Sequence, residues 1–303
     1  MTPTKEGSFH LFTFKGIEVF VHWSWLLVAF LEVEQRKGRY GSISWNVAEY
    51  LAVFAIVLLH EFGHSFASRQ VGGRADQIVL WPLGGVAYAK PPPRPGAVLW
   101  TIVAGPLVNV VLFFILSWLV FYSPVLGMLE ADAGRFLKDL WMINTIMLVF
   151  NLLPIYPLDG GQILQSLLWY VVGRARSLLI ASSIGFLGVA GLVWLAFDWK
   201  NPWIGIMAFF VFMNCRNGFK AAKVMAAIER APRRTDYACP SCQAAPIEGA
   251  HWQCGQCATA YDPFSTYGVC PGCGVRSAET PCFFCGERHP LPAFRKDSPT
   301  IDV

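Results

Sequence analysis

Apolar runs close to the roughly 20 residues that cross a bilayer as a helix recur along the chain at about 17–33, 46–70, 97–122, 137–158, 177–197 and 202–216. Two further segments break that pattern. SFHLFTFKGIEVFVH, residues 8–22, is rich in aromatic and β-branched side chains around a turn-forming Gly16, which predicts a short hairpin leading into the first span. DQIVLWPLGGVAYAK, residues 76–90, has two apolar arms flanking Pro82, Gly84 and Gly85. A spanning helix does not tolerate that cluster, so a re-entrant β-hairpin is expected. The predicted fold class is an α-helical polytopic membrane protein of about six transmembrane helices with this hairpin, and four C-x-x-C pairs after residue 238 add a small C-terminal zinc-ribbon domain.

Six crossings leave both termini on one side, and short loops rich in Lys and Arg face the cytoplasm. With the termini inside, the inner flanks carry Lys5, Lys15, Arg69, Arg74, Lys90, Arg94, Arg174, Arg176, Arg216, Lys220 and Lys223. The outer flanks carry Arg36, Lys37, Arg39, Arg135, Lys138 and Lys200. Eleven against six predicts cytoplasmic termini in a cell membrane.

Composition supports the bilayer. The chain is 54% hydrophobic and 15% charged with a mean hydropathy of +0.44, whereas soluble domains carry about 25% charged residues. The opening MTPTKEGSFHLF has no basic n-region, apolar h-region or cleavage site, so the mature chain is expected to begin there. A net charge of +4 without a basic tract gives no support for nucleic acid.

Inside the second apolar run stands LLHEFGHSFA, residues 58–67. Charged and metal-competent side chains cost a few kcal/mol each at the centre of a bilayer and so mark function. On a helix, His60 and His64 lie four apart on one face and can share a metal, with Glu61 alongside. A catalytic zinc site needs a third protein ligand and an open position. SFASRQVGG, which follows His64, offers none, whereas NLLPIYPLDGG, residues 151–161, offers Asp159. The second and fourth spans run parallel, so both half-sites approach the same face. From Val47 to His60 a helix rises about 20 Å, which puts the metal inside the bilayer towards the cytoplasmic leaflet. Pro154 and Pro157 break the fourth span and leave carbonyls that only protein or a wet cavity can satisfy.

HEFGH in a membrane helix, AGPLVN (104–109) in the next and NLLPIYPLDGG later resemble the site-2 protease family of intramembrane zinc metalloproteases. GIEVFVHWSW and the hairpin with PLGGVAY resemble its compact, sporulation-protease branch. The likeness runs over about residues 8–220. It implies zinc held by His60, His64 and Asp159, Glu61 as general base, and Asn151 with Pro154 as an N-x-x-P element that holds the substrate or the developing oxyanion. Gly84 and Gly85 are candidates for a strand edge that binds unwound substrate, and Asn109 is a weaker substrate-binding candidate beside a helix-packing Ala104 and Gly105. His22 reads as an interfacial anchor with Trp23 and Trp25. The alternative to an intramembrane endopeptidase is a non-catalytic membrane adaptor, which has no need of Glu61.

Of nine cysteines, eight form four C-x-x-C pairs: Cys239 and Cys242, Cys254 and Cys257, Cys270 and Cys273, Cys282 and Cys285. Eight thiolates suffice for two structural four-cysteine zinc sites, three zinc ions per chain in all. Sequential pairing of neighbouring knuckles is preferred, with an interleaved cross-brace left open. The expected domains are 1–220 for the membrane protease, 221–237 for a linker, 238–290 for the double ribbon and 291–303 for a tail. The implied partners are a transmembrane protein substrate, the lipid bilayer and a protein partner for the ribbons.

Overall fold

The computed structural model describes residues 7–36, 38–81, 84–122 and 131–296. Two compact units divide between Ala222 and Lys223.

The first unit opens with β1 (Ser8–Phe14) and β2 (Ile17–His22), an antiparallel hairpin whose turn residues Lys15 and Gly16 both have positive φ, 48° and 72°. Helix α1 (Ser24–Gln35) and helix α2 (Ile43–Gln70) follow. The chain then makes β3 (Arg74–Trp81) and β4 (Gly84–Lys90). The four strands form one sheet in the order β1-β2-β3-β4, with β2 parallel to β3 and the other pairs antiparallel. Antiparallel strand pairs thus stand where the sequence reading placed its two hairpins, and they join into a single sheet, because α1 and α2 form the crossover that parallel strands require. Ile17, Val19, Ile78 and Leu80 pack with Trp25 and Phe62, which lays the sheet against α2. Pro82 lies outside the described residues.

Helix α3 (Pro95–Ser117) continues as a π-helical turn to Tyr122. After it come α4 (Ala131–Leu152), α5 (Asp159–Val172), α6 (Arg174–Asp198) and α7 (Pro202–Arg230). Among the described residues, three helices are long and apolar enough to cross a membrane: Ile43–Gln70, Pro95–Tyr122 and Arg174–Asp198. The expected span at 17–33 is corrected: its first third is β2, and the 12-residue α1 rises only about 18 Å. IEVFVH has the β-branched character of a strand and finds partners on both sides. Helix α5 was not foreseen, since DGGQILQSLLWYVV is too short to register as a span.

Helix α2 is apolar outside and polar inside. Asn46, Glu49, His60, Glu61, His64 and Ser65 are buried, while Ile43, Leu51 and Leu59 are exposed. That inversion suits hydrocarbon surroundings and would be costly in water. Near the start of α2, Arg36 pairs with Glu49 and Arg39 with Asp139 of α4, and the Tyr40 hydroxyl donates to Asp139 at 2.9 Å. The far end of α2 stops at Val71 and Gly72, whose φ of 83° is a left-handed stop that glycine adopts without strain.

The second unit has two small antiparallel ribbons, β5 (Trp252–Gln253) with β6 (Ala260–Tyr261) and β7 (Glu279–Pro281) with β8 (Arg288–Pro290). Its core joins Ile247, Trp252, Tyr261, Phe264 and Phe294 with four of the cysteines. Phe294 is 1% exposed and belongs to a 3-10 turn at Leu291–Phe294, so the unit runs past residue 290, where the sequence reading placed a tail.

Candidate metal centres

Helices α2 and α3 are antiparallel and close. Gly63 lies against the Ala104 carbonyl and Gly105 against the His64 ring, and a Cβ at either glycine would collide with its neighbour. The absence of side-chain volume at Gly63 and Gly105 therefore lets the two helices meet where the histidines sit. The spacing matches on both sides: His60 and His64 are one turn apart on α2, as are Asn109 and Gly105 on α3.

The proton positions follow from one backbone carbonyl. Asn144 of α4 donates its Nδ2 to the Asn109 carbonyl at 3.0 Å, which fixes the Asn144 amide. Its Oδ1 then accepts from Asn109 Nδ2 at 2.9 Å, so Asn109 Oδ1 faces His60 Nδ1 at 2.6 Å as an acceptor. His60 accordingly carries its proton on Nδ1. His64 does the same, because its Nδ1 lies 2.8 Å from the Thr101 carbonyl, which can only accept. Both Nε2 lone pairs are left to face each other at 3.1 Å.

Asp159, the first residue of α5, enters that gap. Its Oδ2 is 3.1 Å from His60 Nε2 and its Oδ1 is 3.5 Å from His64 Nε2. Oδ2 is buried with no hydrogen-bond donor, as expected when His60 holds its proton on the other nitrogen. Three lone-pair-bearing groups so placed repel one another unless a cation sits among them. Ligands at about 2.05 Å around tetrahedral zinc are about 3.3 Å apart, which the observed separations bracket, so the residues fit the metal.

Glu61 lies on the sheet side of α2. Its Oε2 accepts from the Ala87 N–H of edge strand β4 at 2.9 Å. Gly85 lies directly against the Glu61 side chain, where a Cβ would overlap Cγ, Cδ and Oε1. Gly84 pairs with Trp81 at the start of β4. Asn109 is fully buried beneath His60 and holds that ring. Asn151 is half-buried one residue before the end of α4, and Pro154 is exposed in the segment between α4 and α5. The Thr101 carbonyl and the Ala87 N–H escaped the sequence reading because backbone groups carry no residue signature. Asn144 had one, a lone amide amid WMINTIMLVF, seven residues before Asn151.

In the second unit all eight knuckle cysteines are free thiols in two clusters. Cys239 and Cys242 meet Cys282 and Cys285, with Sγ separations of 3.7 Å for 239–285 and 242–282. Cys254 and Cys257 meet Cys270 and Cys273, at 3.6 Å for 254–273 and 3.5 Å for 257–270. Tetrahedral zinc–thiolate bonds of about 2.3 Å place sulfurs about 3.8 Å apart, so both clusters fit zinc. The pairing is nested, which corrects the sequential expectation. Its cause is that the ends of the unit are joined: Ala238 N–H donates to the Phe294 carbonyl at 2.7 Å and Tyr237 bridges Arg295, so the first and last knuckles become neighbours. Each knuckle closes alike, with the N–H of Gln243, Ala258, Gly274 or Gly286 donating to the carbonyl of the cysteine four residues earlier. Crowded thiols share charge unequally. The Thr259 hydroxyl pulls Cys257 down to about 6. Cys273, though lowered by the Val275 N–H, is pushed up to about 12 by Cys257 and Cys254.

The model of peptidase family M50 matches residues 48–136 and 127–195. The zinc metalloprotease MJ0392 of Methanocaldococcus jannaschii is 32% identical over 178 residues, 59% of this chain and 50% of that protein. The putative zinc metalloprotease sll0528 of Synechocystis is 33% identical over 192 residues, 60% of this chain and 48% of that protein. Stage IV sporulation protein FB of Bacillus subtilis is 30% identical over 129 residues, 41% of each chain. The chain thus spans about half the length of the curated relatives it matches. The solved site-2 protease from Methanocaldococcus jannaschii superposes with a TM-score of 0.54 at 28% identity, covering 70% of this chain and 95% of that one.

Proposed function

Because the chain belongs to peptidase family M50, the family of site-2 proteases, we propose that it is a zinc-dependent intramembrane endopeptidase that cuts transmembrane segments of other membrane-bound proteins. The observation that carries the reading is the meeting of His60 Nε2, His64 Nε2 and Asp159, with Glu61 beside them, on helices whose outer faces are apolar.

Zinc, when bound, supplies Lewis acidity that polarises the scissile carbonyl and lowers the pKa of water from about 15.7 towards about 7. His60 and His64, held as Nδ1–H tautomers by Asn109 and Thr101, direct their lone pairs inward. Asp159 adds the third ligand and a negative charge. Glu61 keeps Oε2 on the Ala87 N–H and takes the water proton on Oε1, then returns it to the leaving amine. No covalent intermediate is involved. A helical substrate must first unwind, since its amides are already hydrogen-bonded. The outer edge of β4 beside Gly84 and Gly85 then receives it as an added strand, next to Glu61. Asn151 and Pro154 hold the substrate or the developing oxyanion.

The termini and the two structural zinc sites are cytoplasmic in this reading, so cleavage releases a cytoplasmic fragment, and the ribbons contact a protein partner. The test is mass spectrometry of membrane-protein cleavage ends in the native cell, wild type against Glu61→Gln. Ends within or beside transmembrane segments that vanish in the variant support the reading and name the substrates. Identical ends in both strains refute it in favour of the adaptor.

A further inference from the structure

Asp159 can serve as a ligand only if the broken chain before it is held still, and that chain lies where unpaired backbone groups are costly. Helix α4 ends at Leu152 and α5 begins at Asp159. On one side the segment rests on α5: Gly160 lies against the Leu152 and Leu153 carbonyls and Gly161 against the backbone of Ile155 and Tyr156, with no room for a Cβ at either. Gln162 Nε2 also donates to the Pro157 carbonyl at 2.9 Å.

On the other side the grip comes from α6 and α7. The Tyr156 carbonyl accepts the thiol of Cys215, a completely buried residue of α7, at 3.0 Å. Gly185 of α6 leaves the space that the Cys215 sulfur and the Tyr156 carbonyl fill, and Gly218 leaves the space for the Tyr156 ring. Cys215 is the one cysteine outside the knuckles, and neither zinc chemistry nor a disulfide employs it.

We propose that Cys215, acting through the Tyr156 carbonyl, is a positioning residue for Asp159. The inference rests on the zinc reading of His60, His64 and Asp159. Without the thiol donor the Tyr156 carbonyl loses its anchor three residues before the ligand, and Asp159 is freed to turn away from the histidines. Serine restores a donor at the same place, whereas alanine does not.

The experiment measures zinc affinity by chelator competition on the full chain in detergent, with the His60→Ala/His64→Ala double variant supplying the ribbon background. Cys215→Ala is expected to weaken the membrane site about 10- to 100-fold, the usual cost of losing an outer-shell contact, with ribbon zinc unchanged. Cys215→Ser is expected to recover most of that loss. Wild-type affinity in Cys215→Ala, or Cys215→Ser as weak as Cys215→Ala, overturns the inference while leaving the zinc site intact. Equal zinc in wild type and the double-histidine variant overturns the zinc reading and this inference with it. Should Cys215→Ala not fold by thermal melting, Gly218→Ala is titrated instead, since its methyl group meets the Tyr156 ring and the Ser182 hydroxyl. A weakened membrane site supports the clamp, and an unchanged one overturns it.

Discussion

Asn109→Ala should weaken zinc binding without touching a ligand. In the native site His60 donates from Nδ1 to Asn109 at 2.6 Å, and two further acceptors face its Nε2, Asp159 Oδ2 and His64 Nε2, each at 3.1 Å. Removing the amide leaves a buried N–H unsatisfied, a cost of about 1–3 kcal/mol. The metal-free ring escapes that cost by moving its proton to Nε2 and donating to Asp159, so zinc must then displace the proton. The expected loss of affinity is about 10- to 100-fold, or roughly 1.4–2.7 kcal/mol. Asn109→Asp keeps an acceptor for Nδ1–H and should bind zinc at least as tightly as wild type, although it loses the bond to Asn144 Oδ1. Chelator competition on the full chain reads both. Wild-type affinity in Asn109→Ala, or Asn109→Asp as weak as Asn109→Ala, refutes the tautomer argument.

Glu61→Gln should retain wild-type zinc and lose cleavage by about 100- to 10,000-fold, the range for removing a general base; an active variant would place the base elsewhere. Gly85→Val should displace the Glu61 carboxylate and cut turnover by about 100-fold with zinc content unchanged, measured on a purified substrate. Nested ribbons predict that Cys239→Ser/Cys282→Ser loses one zinc and Cys239→Ser/Cys254→Ser loses two, whereas sequential pairing predicts the reverse; elemental analysis decides. Arg39→Met removes the guanidinium that pairs with the buried Asp139 and should destabilise the first unit by about 1–3 kcal/mol, discounted because Arg39 is 41% exposed. An unchanged melting temperature would count against that latch.

Much of this was legible along the chain because its signals are local. Metal-competent side chains at helical spacing in an apolar run stand out against a strong background, as HEFGH does. Two prolines before an Asp announce a broken helix whatever surrounds it, and four C-x-x-C pairs announce thiolate clusters. Hairpin turns at Gly16 and near Gly84 are also written in a few residues.

What the chain concealed depends on partners distant in sequence. That IEVFVH is a strand and not the start of a span follows from β3, more than fifty residues later. Nested knuckles follow from the pairing of Ala238 with Phe294, which no single knuckle encodes. Asn109 became a support for His60 only once α3 closed on α2 through Gly63, Ala104 and Gly105. Residue type and spacing determine which chemistry a segment can perform, since those properties travel with the segment. Which groups meet, and which histidine nitrogen keeps its proton, is decided by packing and by backbone donors and acceptors that every residue shares.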